Sequence, residues 1–130
     1  MSSDVFIVGA ARTPVGSLQG TLASQTAPQL GAHAIAAALS HADINASDVD
    51  EVVMGNVVSA GLKQAPARQA MRQAKLPDSC GATTINKVCG SGMKAAMIAT
   101  DLIRAGSADT VVAGGMESTV SYTHLRAHET

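Results

Sequence analysis

Residues 82–115 decide the fold, and they read ATTINKVCGSGMKAAMIATDLIRAGSADTVVAGG. Ala82–Val88 contains β-branched residues and predicts a strand. Gly90–Ala105 has apolar residues at helical spacing and is followed by Gly106, which predicts a helix closed by a glycine. Asp109–Gly115 is short and apolar, and it predicts the next strand. Because a strand, a helix and a strand in succession form a right-handed crossover between parallel strands, the chain is predicted to fold as a layered α/β domain.

The same alternation extends towards the N-terminus. Asp4–Ala10 is a β-branched apolar run and predicts a first strand, buried on both faces. A helix is predicted to follow the capping oxygen of Thr26 and to continue to His41. Asp50–Val58 predicts another strand, and Pro66–Ala74 predicts a short helix.

The composition and net charge of the chain argue against some classes of binding partner. The chain has 130 residues, of which 46% are hydrophobic and 15% are charged, with a net charge of -1. A charged share of about 25% is usual, so the surface is poor in charge and part of it is expected to face other protein. Nucleic acid and anionic lipid are not expected as partners, because no basic patch balances their charge.

The N-terminal region argues against membrane insertion and secretion. The longest apolar run of the whole chain, Val5–Ala11 with Gly9 counted, is far shorter than the roughly 18 to 20 residues that cross a bilayer. Residues 1–4 lack the basic start and cleavage pattern of a signal peptide, so a cytoplasmic location is expected. In that compartment Cys80 and Cys89 are expected to be free thiols.

The two cysteines are candidates for packing or for nucleophilic chemistry. They lie nine positions apart, which matches neither a CxxC redox pair nor a common zinc pattern, and no metal is expected. Cys80 lies in a predicted loop with no helix directly after it, and it is interpreted as structural.

Cys89 lies where a predicted strand ends and a glycine-rich turn opens a helix. Unpaired N–H groups at a helix N-terminus favour a thiolate, which is the nucleophilic form of cysteine. Gly90 and Gly92 leave space around the sulfur for an acyl group, and their N–H groups could meet a developing oxyanion. Ser91 lies between them and completes the segment expected to shape the site. The other interpretation of Cys89 is a small buried hydrophobic residue.

A second motif overlaps this segment. Gly90-x-Gly92-x-x-Ala95 fits a dinucleotide-binding fingerprint, and Glu117 follows at about the spacing of the ribose-binding acid, about 20 residues. The preceding strand is half polar, however, and a cysteine has no role in pyrophosphate binding. This alternative is therefore weaker than the nucleophile.

The remaining candidate groups have ordinary explanations. His33 and His41 lie on the first predicted helix and are interpreted as surface or packing residues, and neither is taken as a general base. Four basic residues around the second predicted helix could face a phosphate group, although a solvated helix face explains them more simply. These are Lys63, Arg68, Arg72 and Lys75.

Val120–Thr130 differs in composition from the rest of the chain, with the only Tyr and two of the four His. A codon string that looks like a sequencing-library adapter encodes these residues in order. Residues 120–130 are therefore expected to be a non-native tail and are left out of the fold and site predictions. The natural protein is expected to continue beyond residue 119.

Several long motifs in residues 4–118 together resemble the N-terminal half of thiolases, the acyl-CoA C-acyltransferases, and most closely the acetoacetyl-CoA type. The resemblance ends after Ser118. The matching stretches are IVGAARTPVG at 7–16, MGNV at 54–57, QAPARQA at 64–70, TINKVCGSGMKA at 84–95 and AGGMES at 113–118.

The resemblance implies a layered α/β/α/β/α fold, of which residues 1–119 are an incomplete N-terminal domain. It implies that Cys89 is the nucleophile, that it takes an acyl group from acetyl-CoA or another acyl-CoA, and that its backbone N–H helps to form an oxyanion hole. Coenzyme A thioesters would be substrates, with no permanently bound cofactor. The activating histidine and a second cysteine would come from the other half, so the fragment alone is expected to be inactive. The full-length protein would be a homodimer or homotetramer.

Two other functions remain open. One is a ketoacyl synthase-like condensing enzyme of the same fold, which the VCGSGM context of Cys89 argues against. The other is a non-catalytic acyl-binding protein that keeps the fold without the chemistry. The presence of Cys89 between glycines weakens that alternative.

Overall fold

A computed structural model describes residues 4–16, 22 and 24–118 of the chain. The predicted strand–helix alternation is present from residue 27 onwards. Its helices are α1 (Ala27–Ala42), α2 (Pro66–Gln73) and α3 (Ser91–Arg104), its strands are β1 (Glu51–Gly55), β2 (Gly81–Ile85) and β3 (Val111–Gly115), and a single 3-10 turn spans Ala46–Asp48. The predicted tail at 120–130 lies outside the described residues.

The strands form a parallel sheet in the order β2-β1-β3. Glu51 at the start of β1 is paired with Gly81 on one side and with Val111 on the other. β1 is therefore the central strand, and its residues 52–54 are almost fully buried. Parallel neighbours need long crossover connections, which contain α2 and α3. The predicted α/β fold with parallel strands is confirmed.

Helices cover both faces of this sheet. Val52 and Met54 share one face and belong to a hydrophobic core with Ile35 of α1 and Met71 of α2. Val53 points to the opposite face, because side chains alternate along a strand. α3 packs against β1 and β3 and contributes the buried Ala95 and Ala99. The described residues thus form three layers, α/β/α.

The first helix begins as the sequence predicts. Thr26 Oγ1 accepts a hydrogen bond from Gln29 N at 3.3 Å, and Gln29 Oε1 accepts one from Thr26 N at 2.8 Å. This reciprocal capping box satisfies two N–H groups that the helix leaves unpaired. The helix ends at Ala42 and is followed by the C-cap residue Asp43, which takes a left-handed conformation with φ 55°.

Two strands end or begin at other residues than predicted, because backbone N–H groups there bond to side chains or the chain turns. The predicted strand 109–115 loses its first two residues: the Asp50 carboxylate accepts hydrogen bonds from Asp109 N at 2.8 Å and from Thr110 N at 3.1 Å. These two hydrogen bonds lower the pKa of Asp50, and the one from Asp109 N contributes most. The predicted strand 82–88 stops at Ile85, because the chain turns sharply at Val88, where φ is 51°.

The predicted first strand, Asp4–Ala10, is wrong for the described structure. No described residue pairs with this segment as a strand, and Phe6, Ile7 and Val8 are 76%, 91% and 61% exposed. The segment instead lies against α1, where Ala10 N donates to His41 Nδ1 at 3.1 Å. A mostly apolar cavity of about 430 Å³ is lined both by this segment and by β3. The predicted strand is therefore separated from β3 by this cavity in the described structure.

Among the described residues, no helix is both long enough and apolar enough to cross a membrane. The same residues contain no group of three or more His, Cys, Asp or Glu side chains that could hold a metal ion.

Candidate active site

Cys89 lies on a sharp turn between β2 and α3. The strand ends at Ile85 and the helix begins at Ser91. Gly90 N donates to Lys87 O at 3.1 Å and Ser91 N donates to Val88 O at 3.2 Å, which closes the turn. Cys89 is exposed, so the interpretation of a buried packing residue does not apply to the described structure.

Ser91 fastens the turn to the sheet. Its side chain is buried, and its Oγ donates to Val88 O at 2.6 Å and accepts from Lys87 N at 2.8 Å. It packs directly over Gly55 at the end of β1: a Cβ atom built on Gly55 would lie 2.5 Å from Ser91 Cβ. The glycine at position 55 therefore makes room for the start of α3.

Gly90 and Gly92 have a different environment from Gly55. A Cβ atom on Gly90 would meet only Lys87 O, at 3.5 Å, and one on Gly92 would lie 3.8 Å from its nearest neighbour, Gly115 N. Both are ordinary contact distances, and neither glycine has a positive φ. Packing among the described residues does not require these two glycines. A methyl group at either position would make only ordinary contacts with the described residues.

The other cysteine has the opposite character. Cys80 is 2% exposed, and its Sγ donates to Gly81 O at 3.4 Å. Burial raises the pKa of the Cys80 thiol, and the nearby carboxylates of Glu51 and Asp50 raise it further. Cys80 thus stays protonated and inaccessible, as expected of a structural cysteine, while Cys89 is open to reagents.

A polar network at the same edge of the sheet was missed by the sequence analysis. Buried Asn56 donates to Met116 O at 3.0 Å and to Glu117 Oε1 at 3.2 Å. The Glu117 carboxylate also accepts from Val57 N at 2.9 Å and from Val58 N at 2.8 Å. It therefore ties the end of β1 to the end of β3. The sequence did indicate such a network, because polar residues follow two strands and the carboxyl ends of parallel strands meet at one edge of the sheet.

This network bears on the dinucleotide alternative. A ribose-binding acid needs acceptor sites for two hydroxyl groups, whereas the Glu117 carboxylate already accepts three hydrogen bonds, from Asn56, Val57 and Val58, and has about four acceptor sites in all. The turn between β2 and α3, where the pyrophosphate would bind, also contains a left-handed Val88 and an exposed thiol. The geometry favours the thiol site over the dinucleotide site.

Apolar residues near Cys89 are exposed, and the basic residues Lys87 and Lys94 also lie close to it along the chain. Val88, Met93 and Met97 are 65%, 73% and 53% exposed on the same turn and helix. Of the four basic residues noted in the sequence, Arg72 lies 3.4 Å and Arg68 4.0 Å from the Asp78 carboxylate, in exposed pairs. Such pairs are typical of a solvated helix face.

Neither histidine of α1 acts on the thiol within the described structure. His33 is exposed, and His41 contacts the backbone of Ala10. Among the described residues, no side chain forms a hydrogen bond with Cys89 Sγ. The site therefore supplies a thiol and a shaped turn, and the described residues add no general base beside them.

The fold and the site together define the chain as an α/β protein that presents an exposed thiol between a parallel strand and the N-terminus of a helix. The chain belongs to the thiolase family. The family model described as "Thiolase, N-terminal domain" matches residues 5–129, and the resemblance drawn from the motifs is confirmed.

Named relatives agree with this family. The chain is 59% identical over 115 residues to acetyl-CoA acetyltransferase 2 of Arabidopsis thaliana, covering 88% of this chain and 28% of that protein. It is 54% identical over 118 residues to an acetyl-CoA acetyltransferase of Schizosaccharomyces pombe, covering 91% and 30%. For the acetyl-CoA acetyltransferase of Cupriavidus necator the values are 53% over 123 residues, covering 95% and 31%. The chain thus spans about three tenths of the length of these relatives.

Proposed function

We propose that the chain is the N-terminal part of an acyl-CoA C-acyltransferase, a thiolase that forms or cleaves a 3-ketoacyl-CoA such as acetoacetyl-CoA. The observation that carries the proposal is Cys89, an exposed thiol at the N-terminus of α3 in a member of the thiolase family. The names of the relatives support acetyl-CoA as the acyl donor. A wider 3-ketoacyl-CoA range and a role in fatty acid metabolism are part of the proposal.

In the proposed reaction, the Cys89 thiolate attacks the carbonyl carbon of acetyl-CoA. A bond forms between this carbon and Sγ, the bond to the coenzyme A sulfur breaks, and coenzyme A leaves after taking up a proton. A second acetyl-CoA then loses a proton from its α-carbon. The resulting carbanion attacks the carbonyl carbon of the S-acetyl group, a carbon–carbon bond forms, and the bond to Sγ breaks to release the Cys89 thiolate. The products are acetoacetyl-CoA and free enzyme, and thiolysis is the reverse. Covalent catalysis of this kind divides one difficult step into two easier ones.

The turn around Cys89 suits stabilisation of the oxyanion. The N–H groups of Gly90 and Ser91 already donate to Lys87 O and Val88 O. We propose the Cys89 N–H as one donor, as the family resemblance implies, and we assign to Gly90, Ser91 and Gly92 the role of shaping the space around it. Donors fixed before the reaction stabilise developing charge without reorganisation.

We further propose the setting of the full-length protein. It would act in the cytoplasm, as the cytosolic acetyl-CoA acetyltransferase of Gibberella zeae does by its name. It would be a homodimer or homotetramer, would bind acetyl-CoA, acyl-CoA and coenzyme A, and would need neither a metal nor a permanently bound cofactor. The charge-poor composition supports burial of part of the surface against protein.

The proposal is tested by acetyl transfer to the cysteine. Incubation of the full-length protein with acetyl-CoA should add one acetyl group of about 42 Da, found by peptide mass spectrometry on Cys89. Cys89→Ala should show no adduct. The matched control is Cys80→Ala, which should be labelled like the wild type because buried Cys80 is protonated and inaccessible.

Other labelling patterns would identify the alternatives. A protein that binds acetyl-CoA without any adduct on Cys89 would be the non-catalytic acyl-binding protein. An adduct formed from acyl carrier protein thioesters but not from coenzyme A thioesters would indicate a ketoacyl synthase-like enzyme. Equal labelling of the wild type and Cys89→Ala would mean that Cys89 is not the nucleophile.

We also propose that residues 1–119 alone do not turn over. No histidine of the described residues contacts Cys89, and the proposal assigns the activating histidine and the second cysteine to the remainder of the protein. The purified fragment, given acetoacetyl-CoA and coenzyme A, should show no thiolysis above the uncatalysed rate. Turnover by this fragment would contradict the proposed division of the site.

A further inference from the structure

Val88, the residue directly before the thiol, has an unusual backbone conformation. Its φ is 51°, in the left-handed region. This region is strained for a β-branched residue, which therefore adopts it only when neighbouring contacts hold it there. The side chain of Val88 is 65% exposed, so packing of the side chain does not provide that hold.

Two side chains do hold the backbone of Val88. Asn86 Oδ1 accepts a hydrogen bond from Val88 N at 2.9 Å, and Ser91 Oγ donates one to Val88 O at 2.6 Å. Both polar groups of this residue's backbone are thereby bound, one on each side of the strained torsion. Ser91 Oγ also accepts from Lys87 N at 2.8 Å, which fixes the preceding peptide group.

Ser91 is itself firmly placed. It is 5% exposed, it is the first residue of α3, and it packs against Gly55 in the central strand. Asn86, in contrast, is exposed and extends from the end of β2. The turn is thus fixed to the sheet through a buried serine and to the preceding strand through a surface asparagine.

We propose that Ser91 and Asn86 are positioning residues, which hold Val88 in the left-handed conformation and so direct the Cys89 thiol outward to the acyl donor. Acyl transfer from this thiol rests on the proposed function. The geometry of the turn, and its effect on any reagent that reaches Cys89, do not. If Val88 relaxed to an ordinary conformation, the direction of the chain at Cys89 would change.

The experiment uses variants of the full-length protein and two reagents. Acetyl-CoA reports acyl transfer to Cys89, and iodoacetamide reports access to the same thiol without requiring any acyltransferase activity. Asn86→Ala should lower both second-order rates by about 5- to 10-fold, because it removes the side-chain bond that holds Val88 N. Asn86→Asp keeps an acceptor oxygen for Val88 N and should stay within about 2-fold of the wild type. The rates are compared at a pH that fully ionises the thiol, where the added carboxylate does not change the thiolate fraction.

A double variant distinguishes positioning from general stability. Ser91→Ala removes both bonds of the hydroxyl and should lower both rates by about 10-fold or more. Val88→Gly removes the strain, because glycine takes a positive φ freely. Combined with Ser91→Ala, it should therefore recover at least about 3-fold of the lost rate. A serine that served only general stability would not be rescued at position 88.

The outcomes separate the two proposals. Slower alkylation in Asn86→Ala and Ser91→Ala supports the positioning role, even if acetyl-CoA labels no variant and the proposed function fails. Wild-type alkylation rates in both variants would overturn the positioning role. It would also be overturned if Asn86→Asp slowed alkylation as much as Asn86→Ala, or if Val88→Gly left the Ser91→Ala defect unchanged.

Discussion

Replacing Cys89 by alanine in the full-length protein is expected to lower kcat for acetoacetyl-CoA synthesis and thiolysis by at least about 10³-fold, because removing the nucleophile removes the covalent route. Cys89 is the accessible thiol of the chain, whereas Cys80 is buried. Steady-state kinetics in both directions measure the effect. Cys89→Ser should be nearly as inactive, since a serine hydroxyl ionises far less readily than a thiol and is a much weaker nucleophile.

Cys80→Ala provides the control for this prediction. Cys80 belongs to the hydrophobic core, so its replacement should lower the melting temperature while kcat of the folded protein stays within about 2-fold. If Cys89→Ala retained a tenth or more of the wild-type kcat, covalent catalysis at this residue would be rejected. If Cys80→Ala lost activity without losing stability, the assignment of the two cysteines would have to be exchanged.

The sequence predicted the fold best where local chemistry and tertiary structure agree. The helix after Thr26 is fixed by its own capping box, and the parallel strands follow from their alternation with helices. The predicted strand at Asp4–Ala10 failed for a tertiary reason. Its apolar residues indicate burial, but burial needs a partner, and a cavity lies between this segment and β3 in the described structure.

The position of the candidate site could be predicted from the sequence, but the contacts that shape its turn could not. A cysteine before glycines at a strand-to-helix junction is visible in the sequence, and its location at the start of α3 follows from the junction. Val88 was predicted as the last residue of a strand, since β-branched residues favour strands. Its left-handed φ depends instead on Asn86 and Ser91, and the fixing of Ser91 depends on Gly55, which lies far away in sequence.

Gly55→Ala is expected to have the largest effect on stability among glycine substitutions near the site. An added Cβ atom would lie 2.5 Å from Ser91 Cβ, 2.8 Å from Ser91 C and 3.1 Å from Gly92 N. Two of these three atoms belong to the backbone at the start of α3, so rotation of a side chain cannot relieve the collision. The helix must move away from β1, at a cost of about 2–4 kcal/mol in the free energy of unfolding.

The matched control for Gly55→Ala is Gly92→Ala, which places the same methyl group on the facing element. Its nearest neighbour would lie 3.8 Å away, and alanine favours a helix over glycine, so the free energy of unfolding should change by less than about 1 kcal/mol. Denaturant unfolding of both variants measures the contrast. Because Gly55→Ala displaces Ser91, it should also slow alkylation of Cys89 in the folded protein. Equal stability of the two variants would show that α3 does not rest on Gly55, and the support for the Cys89 turn would then have to come from elsewhere.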